Sequence, residues 1–179
     1  MDIDPKYLKA VSALKERIGP APENVKIILV VCSGNICRSP MAEAYLISRL
    51  HERNLPDIKV YSAGTLNITG EPADPKAVAV GMDAGLDLRK HSSYGIDQLP
   101  VGYADIILTM EELHSDYVID AFPVAKGKTF LLGEFSPRDP GVIVPDPVGG
   151  TLEDFHRAFG MIKEYTDLFV EWLRSGKRD

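Results

Sequence analysis

The sequence predicts an α/β fold in which a four-stranded, parallel, doubly wound sheet is flanked by helices, with an extra N-terminal helix. Three observations predict it. Apolar runs alternate with segments of helical periodicity, which is typical of parallel sheets with helical crossovers. The first run, residues 25–31, is apolar apart from one lysine, as in a strand buried on both faces. A glycine-containing loop follows it directly, at the strand end where such sheets bind ligands.

The elements follow one another along the chain with recognisable boundaries. Residues 5–18 predict an amphipathic helix because apolar residues recur at helical spacing, and the Gly/Pro-rich segment 19–22 ends it. Pro40 suits the first turn of the second helix, Gly85 can terminate the third, and Thr151 can cap the last.

The same patterns give the remaining bounds. The predicted strands are 25–31, 58–62, 103–110 and 129–132. The predicted helices after the first are 39–54, 74–84, 111–121 and 151–172. A long loop with four prolines spans 133–150. The apolar stripe expected to bury the last helix consists of Leu152, Phe155, Phe159, Ile162, Phe169 and Leu173.

Composition excludes several classes of protein. The 179 residues are enough for one domain with a real core, and a net charge of −6 argues against non-specific nucleic-acid binding. No apolar run approaches the roughly 18 residues that span a bilayer, and the N-terminal segment lacks the apolar core of a secretion signal. We therefore expect a cytoplasmic protein without membrane association. Two cysteines form no disulfide framework, and in a reducing compartment a cysteine within a Gly/Asn/Ser loop is expected to be chemical.

The loop after the first strand, from Cys32 to Ser39, reads Cys-Ser-Gly-Asn-Ile-Cys-Arg-Ser. Its backbone N–H groups can converge on a phosphate-sized dianion, aided by the start of the next helix. Gly34 and Asn35 are residue types that tolerate the left-handed backbone of such a nest. Arg38 can hold two phosphoryl oxygens. Cys32, surrounded by the same donors, is expected to be a thiolate placed for in-line attack on phosphorus, with Ser39 donating a hydrogen bond that eases its departure.

Other anion and metal sites fit this loop poorly. It contains neither a dinucleotide-binding fingerprint nor the Gly-Lys ending of a Walker A loop. Two cysteines with four residues between them and four scattered histidines do not make a zinc ligand set. We expect no metal and no cofactor.

The segment from Val31 to Glu43, Val-Cys-Ser-Gly-Asn-Ile-Cys-Arg-Ser-Pro-Met-Ala-Glu, resembles the signature of the low-molecular-weight protein tyrosine phosphatases. Shorter matches follow in the family's order, namely Ser62-Ala63-Gly64-Thr65, His91 and Asp146-Pro147. The resemblance covers about residues 25–174. We assign 23–179 to a phosphatase domain and 1–22 to an N-terminal helical extension.

The resemblance implies a role for each matching residue. The implied catalytic residues are Cys32, Arg38 and Asp146, with Asp146 as general acid for the leaving group and then base for the attacking water. The implied substrate-binding residues are Ser33, Gly34, Asn35, Ile36, Cys37 and Ser39. The implied network that supports the loop consists of Asn35, Ser39, Ser62 and His91. Cys37 matches a second cysteine that can capture oxidised Cys32 as a disulfide, which predicts reversible inactivation by peroxide.

The walls of the pocket depart from the tyrosine-directed pattern. Family members of that type often carry aromatic residues after the second strand and after the Asp-Pro pair. This chain has Leu66, Asn67 and Ile68 at the first place and Val148-Gly149 at the second. Relatives that act on phosphoarginine also have a glycine-rich stretch after Asp-Pro, but carry threonine where this chain has Ile36. The apolar bulk of Ile36 favours packing on an aromatic ring.

We therefore expect a phosphatase that hydrolyses phosphotyrosine in protein partners through a phosphocysteine, with a protein-arginine phosphatase as the alternative. An arsenate reductase on the same scaffold passes its thiolate through further cysteines, and none follows Cys37. A non-catalytic phosphate-binding module is disfavoured because Cys32, Arg38 and Asp146 are all present. The oligomeric state and the role of residues 1–22 stay open.

Overall fold

The computed structural model describes residues 3–99 and 101–176, so residues 1–2, 100 and 177–179 of the predicted extension and domain lie outside the described residues. The strands are β1 Ile27–Cys32, β2 Lys59–Gly64, β3 Ile106–Thr109 and β4 Thr129–Leu131. The α-helices are α1 Leu8–Ile18, α2 Arg38–Glu52, α3 Pro75–Asp83, α4 Glu112–Ala121 and α5 Leu152–Arg174. The strands pair in parallel in the order β2-β1-β3-β4, which confirms the predicted fold class.

Two strands, β1 and β3, begin two and three residues later than predicted. The carboxylate of Asp105 accepts hydrogen bonds from the backbone N–H groups of Lys26 at 2.7 Å and Ile27 at 2.9 Å, so a side chain binds the entry to β1 where residues 25–26 were predicted as strand. The apolar residues before β3 belong to a 3-10 turn, Val101–Tyr103, and Tyr103 is 75% exposed. Apolar residues thus occur in the turn before the strand as well as in the strand itself. Periodicity alone does not distinguish the turn from the strand.

Side chains of β1 alternate between two cores, as expected for a strand buried on both faces. Ile28 and Val30 point into the larger core, which is completed by residues of α1, α2, α3 and α5. Leu29 and Val31 point into a smaller core beneath α4 and residues 96–99 and 101–104. Helices therefore cover both faces of the sheet.

The last helix, α5, begins with a capping box in which Thr151 and Asp154 bind each other's backbone N–H groups. Most of its predicted apolar stripe is buried, but Leu152 is 45% exposed. Leu152 is the first residue of the helix, where the chain is only entering the core, so its assignment to the stripe was wrong.

The N-terminal helix α1 packs on α5. Leu14 is buried in the main core, and the indole Nε1 of Trp172 donates to the carbonyl oxygen of Gly19 at 3.0 Å. Beside this contact, the fully buried carboxylate of Glu171 lies 2.9 Å from Nε of Arg53. The described part of the extension is thus packed against the sheet-and-helix body.

The carboxyl ends of three strands meet at one edge of the sheet. In register, Cys32 lies beside Gly64, and Val31 lies beside Thr109. The loops after β1, β2 and β3 and the first turns of α2 and α4 consequently converge there. No described helix is both long and apolar enough to cross a membrane.

Candidate active site

The loop between β1 and α2 has the strained backbone of an anion nest at one residue. Asn35 has a φ of 56°, in the left-handed region, and is fully buried. Of the two residues that tolerate this region, Asn35 adopts it and Gly34 does not. Gly64 approaches the loop so closely that an added Cβ would lie 2.5 Å from the carbonyl oxygen of Ser33. Only glycine fits there, because the atoms that an added Cβ would meet belong to the loop backbone, which cannot move aside as a flexible side chain could.

The side chain of Asn35 organises the buried side of the loop. Its Nδ2 donates to Oγ of Ser39 and to Oγ of Ser62, both at 2.8 Å. Its Oδ1 accepts from the backbone N–H of Tyr94 at 2.9 Å, which fixes the orientation of the amide. Nε2 of His91 donates to the carbonyl oxygen of Asn35 at 2.7 Å, since a carbonyl can only accept.

These contacts set the direction of the remaining hydrogen bonds. Because Ser39 accepts from Asn35, its own proton is available for Sγ of Cys32, 2.9 Å away. Ser62 likewise accepts from Asn35 and donates to the carboxylate of Glu43. We call the five residues Asn35, Ser39, Ser62, Glu43 and His91 the Asn35 network. It brings together all four residues predicted to support the loop.

Glu43 is a member of the Asn35 network that the sequence did not single out. Burial raises the pKa of its carboxyl group, while the Ser62 hydrogen bond and the nearby His91 oppose that shift. Glu43 stands in the quoted family segment, so its position was visible, but nothing in the segment indicated a hydrogen bond to a strand 19 residues further on.

Arg38 is 1% exposed, and its guanidinium group contacts the loop as well as the segments that carry Glu111 and Asp146. Its Nη1 donates to Glu111 and, at 2.9 Å, to the carbonyl oxygen of Val144. Its Nη2 donates to Oδ2 of Asp146 at 2.6 Å and to Oγ of Ser33 at 3.2 Å. Its Nε has no hydrogen-bond partner among the described residues. A buried guanidinium with a spare N–H beside a cysteine loop is suited to holding an oxyanion.

The predicted general acid is held at this site by its loop. The backbone N–H of Val144 donates to the carbonyl oxygen of Met110 at 3.0 Å, which ties the loop to the end of β3. The backbone N–H of Val148 donates to Oδ1 of Asp146 at 3.1 Å. The Asp146 side chain is 32% exposed, so its carboxylate can reach both the arginine and solvent.

Two residues at the start of α4, Glu111 and His114, were missed by the sequence analysis. They form a capping box, in which Nδ1 of His114 accepts from the backbone N–H of Glu111 at 3.1 Å. The other ring nitrogen, Nε2, lies 2.8 Å from Oγ of Ser33. Burial, reinforced by the guanidinium of Arg38, lowers the pKa of His114 to about 4. The Glu-x-x-His spacing after the third strand was the available signal.

Cys37, the second cysteine, is buried and reduced. Burial raises the pKa of its thiol to about 12, with the carboxylates of Asp74 and Asp146 acting in the same direction. Cys37 is therefore a neutral thiol at physiological pH. Among the described residues, no group of three or more His, Cys, Asp or Glu could hold a metal ion.

An aliphatic rim, defined as Ile36, Leu66, Ile68 and Val148, borders the open side of the loop. Ile36 and Ile68 both lie within contact distance of the position of a Cβ on Gly34, at 3.4 and 3.9 Å. Leu66 is 64% exposed and Val148 is 58% exposed. No member is aromatic, so contacts to a substrate at this rim are those of aliphatic carbons.

Comparisons with known proteins find relatives of this chain in sequence and in structure. A family model described as low molecular weight phosphotyrosine protein phosphatase matches residues 27–178. The chain is 38% identical over 151 residues to EpsP of Ralstonia nicotianae, a probable low molecular weight protein-tyrosine-phosphatase, and the match covers 84% of this chain and 98% of that protein.

Solved structures extend the likeness to three dimensions. Vibrio vulnificus Wzb in complex with benzylphosphonate matches with a TM-score of 0.73 and 33% identity, over 82% of this chain and 97% of that one. The YwlE arginine phosphatase from Geobacillus stearothermophilus matches with a TM-score of 0.74 and 34% identity, over 83% of this chain and 95% of that one.

Proposed function

Since this chain belongs to the low molecular weight phosphotyrosine protein phosphatase family, we propose that it hydrolyses phosphotyrosine in protein substrates through a phosphocysteine at Cys32. The observation that carries the mechanism is the arrangement around the loop. Sγ of Cys32 accepts a hydrogen bond from Oγ of Ser39, 2.9 Å away, and Nε of Arg38, which has no partner among the described residues, lies within the same buried site. These groups suit a thiolate beneath a bound dianion.

In the first step, the phosphoryl dianion takes the place of Asp146 on Nη2 of Arg38 and also binds Nε. The sulfur of Cys32 attacks phosphorus, and the bond from phosphorus to the leaving oxygen breaks. That oxygen keeps the electron pair and takes the proton of Asp146. Arg38 and the loop amides stabilise the charge that develops on the phosphoryl oxygens.

In the second step, Asp146 accepts a proton from water as the water oxygen attacks phosphorus. The bond between phosphorus and sulfur breaks, and the electron pair returns to Cys32. The Ser39 hydroxyl, which its bond from Asn35 orients toward the sulfur, stabilises the thiolate that leaves. Inorganic phosphate then departs.

Hydrolysis of p-nitrophenyl phosphate in the presence of EDTA tests this mechanism. Cys32→Ser is expected to show no turnover, and full activity in that variant would rule the mechanism out. With aryl phosphates whose leaving groups are poor, Asp146→Asn is expected to lose about 100-fold or more in kcat. An unchanged rate in Asp146→Asn would assign the proton to another acid.

A protein-arginine phosphatase is the second candidate, because the rim lacks aromatic side chains and YwlE shares the fold. Peptides carrying phosphotyrosine or phosphoarginine should be compared on wild type and on Ile36→Thr. We expect wild type to prefer phosphotyrosine and Ile36→Thr to gain activity on phosphoarginine. A wild type that already prefers phosphoarginine would overturn the substrate assignment.

Reversible oxidation is a further part of the proposal. Peroxide converts the Cys32 thiolate to a sulfenic acid and hydroxide, and the Cys37 thiol then displaces water to form a disulfide. Because the pKa of Cys37 is raised to about 12, we expect this second step to be slow. Dithiothreitol should restore activity after brief peroxide treatment of wild type, and restore less in Cys37→Ser. Equal recovery would remove Cys37 from this role.

The remaining proposals concern domain organisation and location. We assign residues 23–179 to the catalytic domain and 1–22 to an extension, which the start of the family match at residue 27 supports. Two reduced, buried cysteines suit a cytoplasmic location. The proposed partners are phosphorylated proteins rather than nucleic acid or membrane.

A further inference from the structure

We propose that the hydroxyl group of Ser33 donates a hydrogen bond to the phosphoryl group of the substrate, and that His114 is the positioning residue that fixes the direction of this hydroxyl. The inference rests on the proposed phosphatase function. Ser33 was predicted to bind substrate without a role for its hydroxyl group. The inference adds that role, and it adds a role for His114, which lies outside the loop.

The contacts of His114 decide which ring nitrogen carries the proton. The backbone N–H of Glu111 can only donate, so Nδ1 of His114, at 3.1 Å, is the acceptor. The proton of the neutral ring is therefore on Nε2, which donates to Oγ of Ser33 at 2.8 Å. His114 has no exposed surface, and the capping box of α4 fixes its ring.

Oγ of Ser33 also accepts a hydrogen bond from a second donor, Arg38. Nη2 of Arg38 lies 3.2 Å from this oxygen. A hydroxyl oxygen has two lone pairs, and His114 and Arg38 together use both. The serine proton must then point away from both donors. No acceptor for that proton occurs among the described residues, and Ser33 is half-exposed on the open side of the loop.

An oxyanion bound by Arg38 would supply the acceptor that Ser33 lacks. Arg38 contacts Ser33 and Asp146 through the same nitrogen, so a phosphoryl oxygen that replaces Asp146 arrives beside the Ser33 hydroxyl. The donor would then strengthen its bond as negative charge accumulates on the phosphoryl oxygens.

The arrangement requires a neutral imidazole, because a protonated ring could not accept at Nδ1. The charged groups that face His114 are Arg38, Glu111 and Asp146, and the pKa of the histidine is lowered to about 4 by burial and by Arg38. Ser33 is therefore held as a donor across the neutral and mildly acidic range.

Two substitutions of His114 separate its two hydrogen bonds. In His114→Gln the amide nitrogen can take the place of Nε2 and donate to Ser33. In His114→Asn the amide oxygen can take the place of Nδ1 and preserve the cap, but no donor at position 114 reaches Ser33, which keeps only its bond from Arg38. Ser33→Ala removes the hydroxyl itself. Ser48→Ala and His51→Asn, on the outer part of α2, are matched controls.

Steady-state hydrolysis of p-nitrophenyl phosphate by the full chain is the readout. Ser33→Ala and His114→Asn are each expected to lower kcat about 10- to 100-fold, the range for a hydrogen bond to a charged group, with a smaller effect on KM. His114→Gln should recover most of the kcat that His114→Asn loses. The double variant Ser33→Ala/His114→Asn should be no slower than Ser33→Ala, because both changes remove one interaction.

A kcat of Ser33→Ala equal to that of Ser48→Ala would overturn the inference, as would additive losses in the double variant. A loss in His114→Asn that His114→Gln does not recover would assign His114 to stability alone and would also overturn it. The proposed function fails separately, if Cys32→Ser is as active as wild type. An inactive Cys32→Ser beside a fully active Ser33→Ala would leave the proposed function standing without the inference.

Discussion

The two sides of the catalytic loop are built in opposite ways. On the buried side, the Asn35 network makes directional hydrogen bonds, of which four between Asn35 and its partners measure 2.7 to 2.9 Å. On the open side, the aliphatic rim offers carbon atoms alone, and its members Ile68 and Leu66 are 36% and 64% exposed.

This difference separates the chemistry from the choice of substrate. A buried polar network tolerates few changes, because each lost partner leaves another group unsatisfied. An exposed aliphatic side chain can be replaced at little cost in stability, because little of its surface is buried. The loop can therefore keep its reaction while the rim adapts to a different phosphorylated residue.

The largest expected effect comes from emptying the centre of the buried side. Asn35→Gly keeps a residue that accepts a φ of 56° but leaves both serine hydroxyls without their donor. We expect a loss of about 2–6 kcal/mol in the free energy of unfolding and of about 100-fold in kcat. Urea denaturation and p-nitrophenyl phosphate kinetics measure the two effects. Asn54→Gly, at an exposed left-handed residue with a φ of 59°, is the control and should change neither.

The second effect tests how far the buried side extends toward α4. His114 has a pKa of about 4 in the folded state against 6.5 ordinarily, so the unfolded chain binds more protons between these values. His114 therefore leaves the free energy of unfolding undiminished above pH 6.5. As the pH falls from 6.5 to about 4, this free energy decreases by about 3 kcal/mol, because the unfolded chain gains a proton that the folded chain excludes. Urea denaturation from pH 7.5 to 4 should show a shallower pH dependence in His114→Asn than in wild type. Parallel curves would contradict the assignment.

The third effect concerns the close approach of Gly64 to the backbone of the catalytic loop. A Cβ at Gly64 would lie 2.5 Å from the carbonyl oxygen of Ser33, whereas one at Gly34 would meet only side-chain carbons, 3.4 Å away at closest. We expect Gly64→Ala to cost about 1–3 kcal/mol, as overpacking does, and Gly34→Ala to cost less than about 1 kcal/mol. Thermal unfolding compares the pair, and equal shifts in Tm would show that the loop can move aside.

The smallest effect belongs to the rim. Leu66→Tyr adds an aromatic ring at the border of the pocket, which is worth about 0.5–1.5 kcal/mol when it pairs with another ring. We expect kcat/KM for a phosphotyrosine peptide to rise about 2- to 10-fold, with kcat/KM for a small alkyl phosphate unchanged. Leu8→Tyr, at an exposed leucine of α1, is the control. A decrease for the phosphotyrosine peptide would mean that Leu66 does not border the bound ring.

Features set by short-range patterns could be predicted from the sequence, whereas contacts between distant residues could not. The parallel sheet and the position of Cys32 follow from short-range patterns, namely apolar runs, glycine and helix starts. Asp146 was placed by the order of motifs rather than by its own chemistry. His114 was missed because its partner Ser33 is 81 residues away and its spacing from Glu111 looks like an ordinary helix cap.

Errors at element ends have a similar origin. Tyr103 and Leu152 extend an apolar pattern to residues before the chain enters the core, and their exposure depends on tertiary packing. Within the loop, Gly34 and Asn35 both tolerate a left-handed backbone, and of the two it is Asn35, whose side chain is needed in the Asn35 network, that adopts it.

The packing of α1 on α5 has a consequence for how the chain folds. The bond between Gly19 and Trp172 joins residues 153 positions apart, so it cannot form during synthesis until all strands have left the ribosome. Until then the apolar face around Leu14 has no α5 to cover it. The sheet and its loop can assemble beforehand, because each strand meets its neighbours earlier. Helix α1 thus completes its packing last, although it is translated before all four strands.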